Sequence, residues 1–401
     1  MNNEISLNRK IRVAHIITRM ITGGAEENTL FTIEGLDKDK YDIDLIVGEE
    51  FRKDILNNIN DKTFNIIQIK GLKGKLNFLY DPIVLIKLIN LFKKNNYNIV
   101  HTHITKTGIL GRLAARIVGV PIIICGLHGS AYDAFDSKLL NWALIFFEKL
   151  TGRFTDAYIS VSELLSERYK EEGIGVQAKY FTVHSGMELD KFFDVRKKMD
   201  RKKKLAELGI NLESEPFIIG NVGRLEKVKG HKFLIESFKK VQKERGDSFL
   251  KLVIIGEGEE KENLIKYAKK MELEDNIIFT GYRKDIEELI AIMDIFVLSS
   301  LREGLPRVLV QAAAVGVPSV AFNVDGVPEI VKDEYNGFLV KPRDVNQLAD
   351  KIIKYIDNRV LIKLHGQNGR NFVNGKWSIE NMVNKVDEIY QNLIEEKKIK
   401  L

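Results

Sequence analysis

Seven short apolar, β-branched runs alternate with helix-length segments through the first half of the chain, and five more do so in the second. The first series is Arg12–Thr18, Asp42–Val47, Asn65–Ile69, Ile99–Thr102, Ile122–Cys125, Ala157–Ser160 and Phe181–His184. The second is Phe217–Val222, Phe249–Ile255, Asn276–Thr280, Ile295–Ser299 and Ser319–Phe322. Strands that are apolar on both faces need cover on both faces. Helices between them, such as Pro82–Lys94, Thr107–Val118 and Phe233–Lys243, supply it. The expected class is α/β, with two doubly wound, Rossmann-like parallel-sheet domains facing a central cleft.

A chain of 401 residues is long enough for two cores. The series break at VRKKMDRKKKLAEL, Val195–Leu208, a basic stretch without a strand pattern that reads as a solvated linker and helix face. The expected division is therefore 1–195, 196–375 and a C-terminal helix, 376–401, lying across a domain surface. That helix carries Trp377, Ile379, Met382, Val383, Val386, Ile389, Tyr390 and Leu393 near helical spacing. Asp344 and Gln347 read as a capping box for the preceding helix.

The net charge is +6, of which the first 190 residues hold about +1. No basic stripe marks a nucleic-acid surface, so no nucleic-acid partner is expected. The single cysteine, Cys125, closes an isoleucine run and reads as buried rather than reactive. The N-terminus, MNNEISLNRK, is polar and not a signal peptide, and no run reaches the length of a membrane span. A cytoplasmic location is the expectation. Leu139–Leu150, LLNWALIFFEKL, is apolar nearly all round and reads as a buried helix. An exposed Trp142, Phe146 or Phe147 beside Lys138, Lys149 and Arg153 would instead suit a peripheral membrane contact.

Both halves open with a strand, a glycine-containing loop and a helix. In the first, Gly23-Gly24 lets backbone approach a ligand, with amides at a helix start to meet an anion. Gly256-Glu257-Gly258 lacks a third glycine and reads as a strand-end turn. In NVGRLEKVKGH, Arg224 and Lys229 follow a buried strand and suit a diphosphate, one as a fork and the other as a point charge. In LREGLPRVLVQAAAVGVP, Pro306 is expected at the first position of a helix, leaving amides around Gly304, Leu305 and Arg307 for an anion. Glu303 could not bind phosphate but could accept from sugar hydroxyls. His101 and His103 lack clustered Cys or carboxylate partners and read as strand-end residues rather than metal ligands. Asp42-Ile43-Asp44 fits a D-x-D pattern but lies within a strand, so no metal is expected there.

These segments, with IVHTHITKTGILGRLAARIVGVPIII, LHG, YISVSE, HSGMELDKF, LVIIGEGEE, IIFTGYRKDI and VPEIVKDEYNGFLV, resemble the retaining GT-B glycosyltransferases of the group-1 type, carbohydrate-enzyme family four. The resemblance runs over nearly the whole chain. It implies transfer of a sugar from a nucleotide-sugar co-substrate, UDP-linked, without metal or other cofactor. The acceptor it implies is a hydroxyl on a saccharide or lipid-linked saccharide, in surface polysaccharide or glycolipid synthesis at the inner membrane face. The first domain would bind the acceptor and the second the nucleotide sugar.

By the same resemblance Gly23 and Gly24 lie against the donor diphosphate, Arg224 and Lys229 bind it, and His128 stands near the sugar. Glu303 contacts sugar hydroxyls, amides of Gly304, Leu305 and the neighbours of Pro306 meet phosphate, and Arg283 cradles the base. The family's second glutamate, which holds the ribose, is replaced by Gln311. A glutamine can accept from one hydroxyl and donate to another, but without a charge its grip is weaker. Two other functions stay open. A GT-B UDP-sugar epimerase would need further acid/base carboxylates, and a nucleotide-sugar-binding protein with lost activity would carry Gln311 as its mark.

Overall fold

The computed structural model describes residues 10–21, 23–51, 64–74, 77, 79–129, 137–211, 216–246 and 249–399. Residues 1–9, which carry the signal-peptide reading, lie outside them, as does Thr22 of the glycine loop. The chain divides into two compact units, Met1–Gly186 with Ser378–Leu401, and Met187–Trp377.

In the first unit the strands are β1 (Ile11–Ile17), β2 (Tyr41–Val47), β3 (Asn65–Gln68), β4 (Ile99–His103), β5 (Ile122–Leu127), β6 (Ala157–Ser160) and β7 (Lys179–Thr182). They pair in parallel in the order β3-β2-β1-β4-β5-β6-β7. The order reverses between β1 and β4. β7 falls two residues before the apolar run Phe181–His184, because it is an edge strand, none of whose residues is fully buried. Its pairing is set by β6, not by burial of its own side chains.

Alternation separates two cores. Val13 and Ile17 of β1 face a cluster that takes in Met382, Val383, Val386, Ile389, Tyr390 and Leu393 of the helix Ile379–Glu396. Ala14 and Ile16 face the opposite side, with Val84, Leu88 and Phe92. The C-terminal helix thus belongs to the first unit and packs beside the helix Gly24–Gly35. There a Cβ on Gly35 would come within 2.5 Å of Val383. Trp377 is not on that helix. It precedes the Ser378 cap, is buried, and falls in the second unit.

The helix Lys138–Gly152 buries only a stripe of Leu144, Glu148, Thr151 and Gly152. It is not buried all round: Leu139, Trp142, Phe146 and Phe147 are 73%, 64%, 50% and 43% exposed. Its inner stripe is fixed by Glu148, which pairs at 2.6 Å with a fully buried Arg112 on the helix Thr105–Val118. Arg112 also donates to Tyr158, Thr155 and the Gly108 carbonyl, so no charge is left bare. Losing one partner of such a pair costs about 3–5 kcal/mol.

The second unit holds β8 (Phe217–Val222), β9 (Leu250–Ile255), β10 (Ile277–Gly281), β11 (Ile295–Leu298), β12 (Ser319–Phe322) and β13 (Gly337–Val340). All are parallel, in the order β10-β9-β8-β11-β12-β13, and the order reverses between β8 and β11. β13 has no counterpart among the expected strands. Its four residues open on a glycine required by close pairing, since a Cβ on Gly337 would lie 2.4 Å from the Ser319 carbonyl. The basic stretch is a largely exposed helix face, as expected, but it is part of this unit and not a linker, in the helices Asp190–Lys198 and Arg201–Glu207. Lys204 is nearly buried and paired with Glu207, Asp285 and Glu288, and Arg196 and Arg201 donate to the carbonyls of Met293 and Ile292. Asp344 caps the Gln347 amide, but the Gln347 side chain reaches Lys341 instead of returning to Asp344, so only half of a capping box forms.

Candidate functional site

In each sheet the point where strand order reverses leaves a crevice at the strand C-termini. In the second unit that crevice lies beyond β8 and β11. The loop after β8 runs from Gly223 through a single 3-10 turn, Lys227–Lys229, to Gly230 at φ 63°. A Cβ on Gly230 would lie 2.1 Å from the Ser299 carbonyl, and Leu301 donates to Val228 at 2.8 Å. The loops after β8 and β11 are therefore laced together. This brings Lys229 Nζ to 2.7 Å from Glu303 Oε1 with both side chains largely buried. A cation able to meet phosphate and a carboxylate able to accept from hydroxyls stand side by side.

Arg224 projects further out, half exposed, and pairs with Glu226 at 2.9 Å. Its loop is braced from behind by Gly256 and Gly258. Cβ atoms there would lie 1.9 Å from the Gly223 carbonyl and 2.4 Å from the Leu225 carbonyl. The strand-end turn thus also serves as a buttress. Beneath it, buried Asn221 donates to Val297 and meets His231 Nε2 at 3.0 Å, tying the floor of β8 to β11. Burial, with the Lys229 charge second, lowers the His231 pKa to about 4, so this ring is neutral.

Pro306 caps the next helix instead of opening it; the helix is Arg307–Val315. Leu305 and Pro306 are buried, so only their backbone could face a ligand. The Glu303 amide donates at 2.7 Å to Asp325, which follows β12 and sits at φ 40°. Asp325 escaped the sequence reading. An Asp-Gly pair just after a strand, on the strand-end side of the sheet, was the available signal. Gln311 lies with Arg307 and Val308 on the one partly open stripe of an otherwise buried helix.

Arg283 stands apart from this group, after the edge strand β10. Its guanidinium is held by Asp285 and Glu207, which raise its pKa, and Asp285 is correspondingly lowered, chiefly by Arg283.

In the first unit Gly23 caps the helix Gly24–Gly35, and a Cβ there would lie 2.4 Å from the carboxylate of buried Glu26. Glu26 in turn lies 3.5 Å from Arg19. The helix start is thus already faced by its own carboxylate, which disfavours the anion site expected from the glycine pair.

His128 follows β5 and is the outer end of a line of histidines. His128 Nε2 lies 2.9 Å from His103 Nδ1, and His103 Nε2 lies 2.9 Å from His15 Nδ1. His15 Nε2 is 3.1 Å from the Tyr390 hydroxyl, which is 2.7 Å from His101 Nδ1. Strand register produces this line: His15 pairs with His101, and His103 pairs with Gly126, two residues before His128. Beyond it Ile104 adopts φ 66°, strained for a β-branched residue. Burial lowers His15 to about 3 and His128 to about 4, and depresses His101 and His103 as well, so the rings are neutral.

One nitrogen each of His15, His101 and His103 falls within 4.8 Å of the others. A tetrahedral zinc, however, holds its nitrogens about 3.3 Å apart. The 2.9 Å contact between His15 and His103 is that of a hydrogen bond. Nor does Asp42-Ile43-Asp44 offer a metal site: Asp42 pairs with Arg12, while Asp44 accepts from Asn65, Asn95 and Tyr97. Cys125 is buried, with its thiol pushed up to about 11.

Known proteins share this plan. The model described as Glycosyl transferases group 1 matches residues 201–372, and that of Glycosyltransferase Family 4 matches residues 22–191. The fold and these two matches together define a GT-B glycosyltransferase. The chain belongs to family four of these enzymes, the group-1 glycosyltransferases. It is 30% identical over 395 residues to the UDP-Gal:alpha-D-GlcNAc-diphosphoundecaprenol alpha-1,3-galactosyltransferase of Escherichia coli, covering 97% of this chain and 99% of that one. It is 29% identical over 337 residues to the capsular polysaccharide biosynthesis glycosyltransferase CapM of Staphylococcus aureus, 82% and 86% of the two chains. Among solved structures, Anabaena HepE in complex with UDP superposes over 96% of this chain and 100% of its own, with TM-score 0.77 and 20% identity. Sucrose-phosphate synthase from Thermosynechococcus elongatus does so over 96% and 100%, with TM-score 0.80 and 19% identity. These two likenesses establish the fold.

Proposed function

We propose that the protein moves a sugar from a UDP-sugar to a hydroxyl of a lipid-linked saccharide, with retention at the anomeric carbon. The observation that carries this is the Lys229–Glu303 pair, 2.7 Å apart at the switch point of the second sheet. Lys229 and Arg224 take the diphosphate, and their charge stabilises it as it leaves. Glu303 accepts from the hydroxyls of the donor sugar, and Gln311, on the open stripe of its helix, takes the ribose. Arg283, held by two carboxylates, offers the flat face of its guanidinium to the base. The amides of Gly304, Leu305 and Arg307 complete the phosphate contact.

The first unit holds the acceptor, and His128 acts near the donor sugar. The bond from the anomeric carbon to the diphosphate breaks as the bond to the acceptor oxygen forms on the same face. The departing phosphate oxygen takes the hydroxyl proton, so neither metal nor cofactor enters. The UDP-Gal donor and α-1,3 product in the name of the Escherichia coli relative support both the donor and the stereochemistry. HepE has been solved with UDP-glucose as well as UDP.

Among the described residues no helix is long and apolar enough to cross a membrane. The exposed Leu139, Trp142, Phe146 and Phe147, beside Lys138, Lys149 and Arg153, support work at an anionic membrane surface, the inner face in a cell that carries lipid-linked saccharides.

Calorimetry separates the roles. A charge-assisted bond to phosphate contributes about 1.5–3 kcal/mol, so Lys229→Ala weakens UDP binding roughly ten- to a hundredfold. Glu303→Ala releases Lys229 and leaves UDP binding equal or tighter, while removing the preference for UDP-sugar over UDP. An unchanged UDP affinity in Lys229→Ala, or an unchanged preference for UDP-sugar over UDP in Glu303→Ala, would overturn the assignment.

A further inference from the structure

We propose that His103, backed by His15 and Tyr390, is a positioning residue that fixes the proton of His128 on Nδ1, so that His128 offers the transfer site a neutral hydrogen-bond donor and not a base. The inference rests on the transferase reading for its catalytic consequence, but the proton assignment itself does not.

The number of protons available sets the direction of the line. Four links join five groups in one line: His128, His103, His15, Tyr390 and His101. Each neutral imidazole has one N–H, and the tyrosine has one O–H. His103 and His15 use both ring nitrogens, so each must donate on one side and accept on the other. Two lone pairs, or two protons, facing across 2.9 Å would repel. The whole line therefore points one way or the other.

If it points inward, His128 Nε2–H donates to His103, the direction passes along, and His101 is left with its proton on Nε2. That atom is buried and has no hydrogen-bond partner among the described residues. A buried N–H without a partner is rare and costly. If the line points outward, His101 Nδ1–H donates to Tyr390, Tyr390 to His15, His15 to His103, and His103 Nδ1–H to His128 Nε2. The orphan is then only a lone pair on His101, and His128 carries its proton on Nδ1. The outward direction wins by the cost of an orphaned donor.

The same atoms explain a glycine. A Cβ on Gly126 would lie 2.8 Å from His103 Nδ1, 3.1 Å from His101 Nε2 and 3.2 Å from His128 Nε2. Any side chain there would enter the line at the link that reaches His128.

Two-bond nitrogen–proton correlation spectra of the protein labelled with 15N-histidine read the tautomer directly. The expected result is His128 with bare Nε2 and protonated Nδ1. His103→Asn keeps a donor near the position of Nδ1 and retains this pattern, whereas His103→Phe removes the donor and lets the His128 proton redistribute. In sugar transfer, His103→Phe lowers kcat roughly ten- to a hundredfold with little change in donor KM, and His103→Asn restores most of it. Melting curves confirm that both variants are folded. Protonated Nε2 on wild-type His128, or an unchanged His128 tautomer in His103→Phe, overturns the proposal. Absence of transfer by the wild type would overturn the function while leaving the spectra to decide the proton.

Discussion

Mild acid should destabilise the first unit, because of the histidines between its sheet and C-terminal helix. His15 is fully buried, and burial holds its pKa at about 3 against an ordinary 6.5. The unfolded chain therefore takes up the proton first. The stability contributed by the neutral ring is complete above about pH 6.5 and is lost as pH falls toward the folded value. Between pH 7 and 5 this one group removes about 2 kcal/mol, at a slope approaching 1.4 kcal/mol per pH unit. His101 and His103 are shifted in the same direction and steepen the fall, though their coupling makes the sum less than additive. Against a domain stability of about 5–15 kcal/mol this is a large share. Met20 and Met382 are buried in the same core, so pulse oxidation of these methionines along a urea gradient reports this unit alone. Their urea midpoint should fall steeply from pH 7 to pH 5, and His15→Phe should flatten the dependence by about one proton. A midpoint independent of pH over this range would refute the reasoning.

Three further outcomes follow from particular contacts. Gln311→Glu replaces a neutral acceptor with a charged one and should tighten UDP binding about fivefold by calorimetry, and an unchanged Kd would remove Gln311 from the ribose site. Trp142→Ser with Phe146→Ser removes two stacked, exposed rings and should cut co-sedimentation with anionic liposomes several-fold, where unaltered sedimentation would dismiss this face as a membrane surface. Gly256→Ala places a methyl against the Gly223 carbonyl at a backbone φ of 142° and should weaken UDP binding at least tenfold by shifting the Arg224 loop, whereas an unaltered Kd would show that the brace does not hold that loop.

Burial on both faces made most strands legible, since it demands continuous apolar runs. β7 was displaced by two residues and β13 was missed, for opposite reasons. β7 is exposed enough that burial does not fix its register, and β13 is four residues long and begins with a glycine needed by its neighbour. At the site, Arg224, Lys229 and Glu303 could be found because each lies in a loop directly after a buried strand. Asp325 could not be tied to them, because its contact to the Glu303 amide depends on the path of a third loop. The histidine line was the least visible. His15, His101, His103, His128 and Tyr390 come from two strands, a loop and a helix, 375 residues apart at the extremes, and only parallel register and the return of the C-terminal helix join them. Periodicity can place His101 and His103 on one face of β4, but not what stands opposite.

The most direct test is transfer itself. The purified protein is given a panel of labelled UDP-sugars with a polyprenyl-diphosphate-linked saccharide, and the anomeric configuration of the product is read by NMR. Transfer from at least one UDP-sugar is expected, with the anomeric configuration of the donor retained, and that transfer should collapse in Glu303→Ala and Lys229→Ala. Bound UDP without transfer from any UDP-sugar, an inverted product, or undiminished rates in both variants would contradict this expectation.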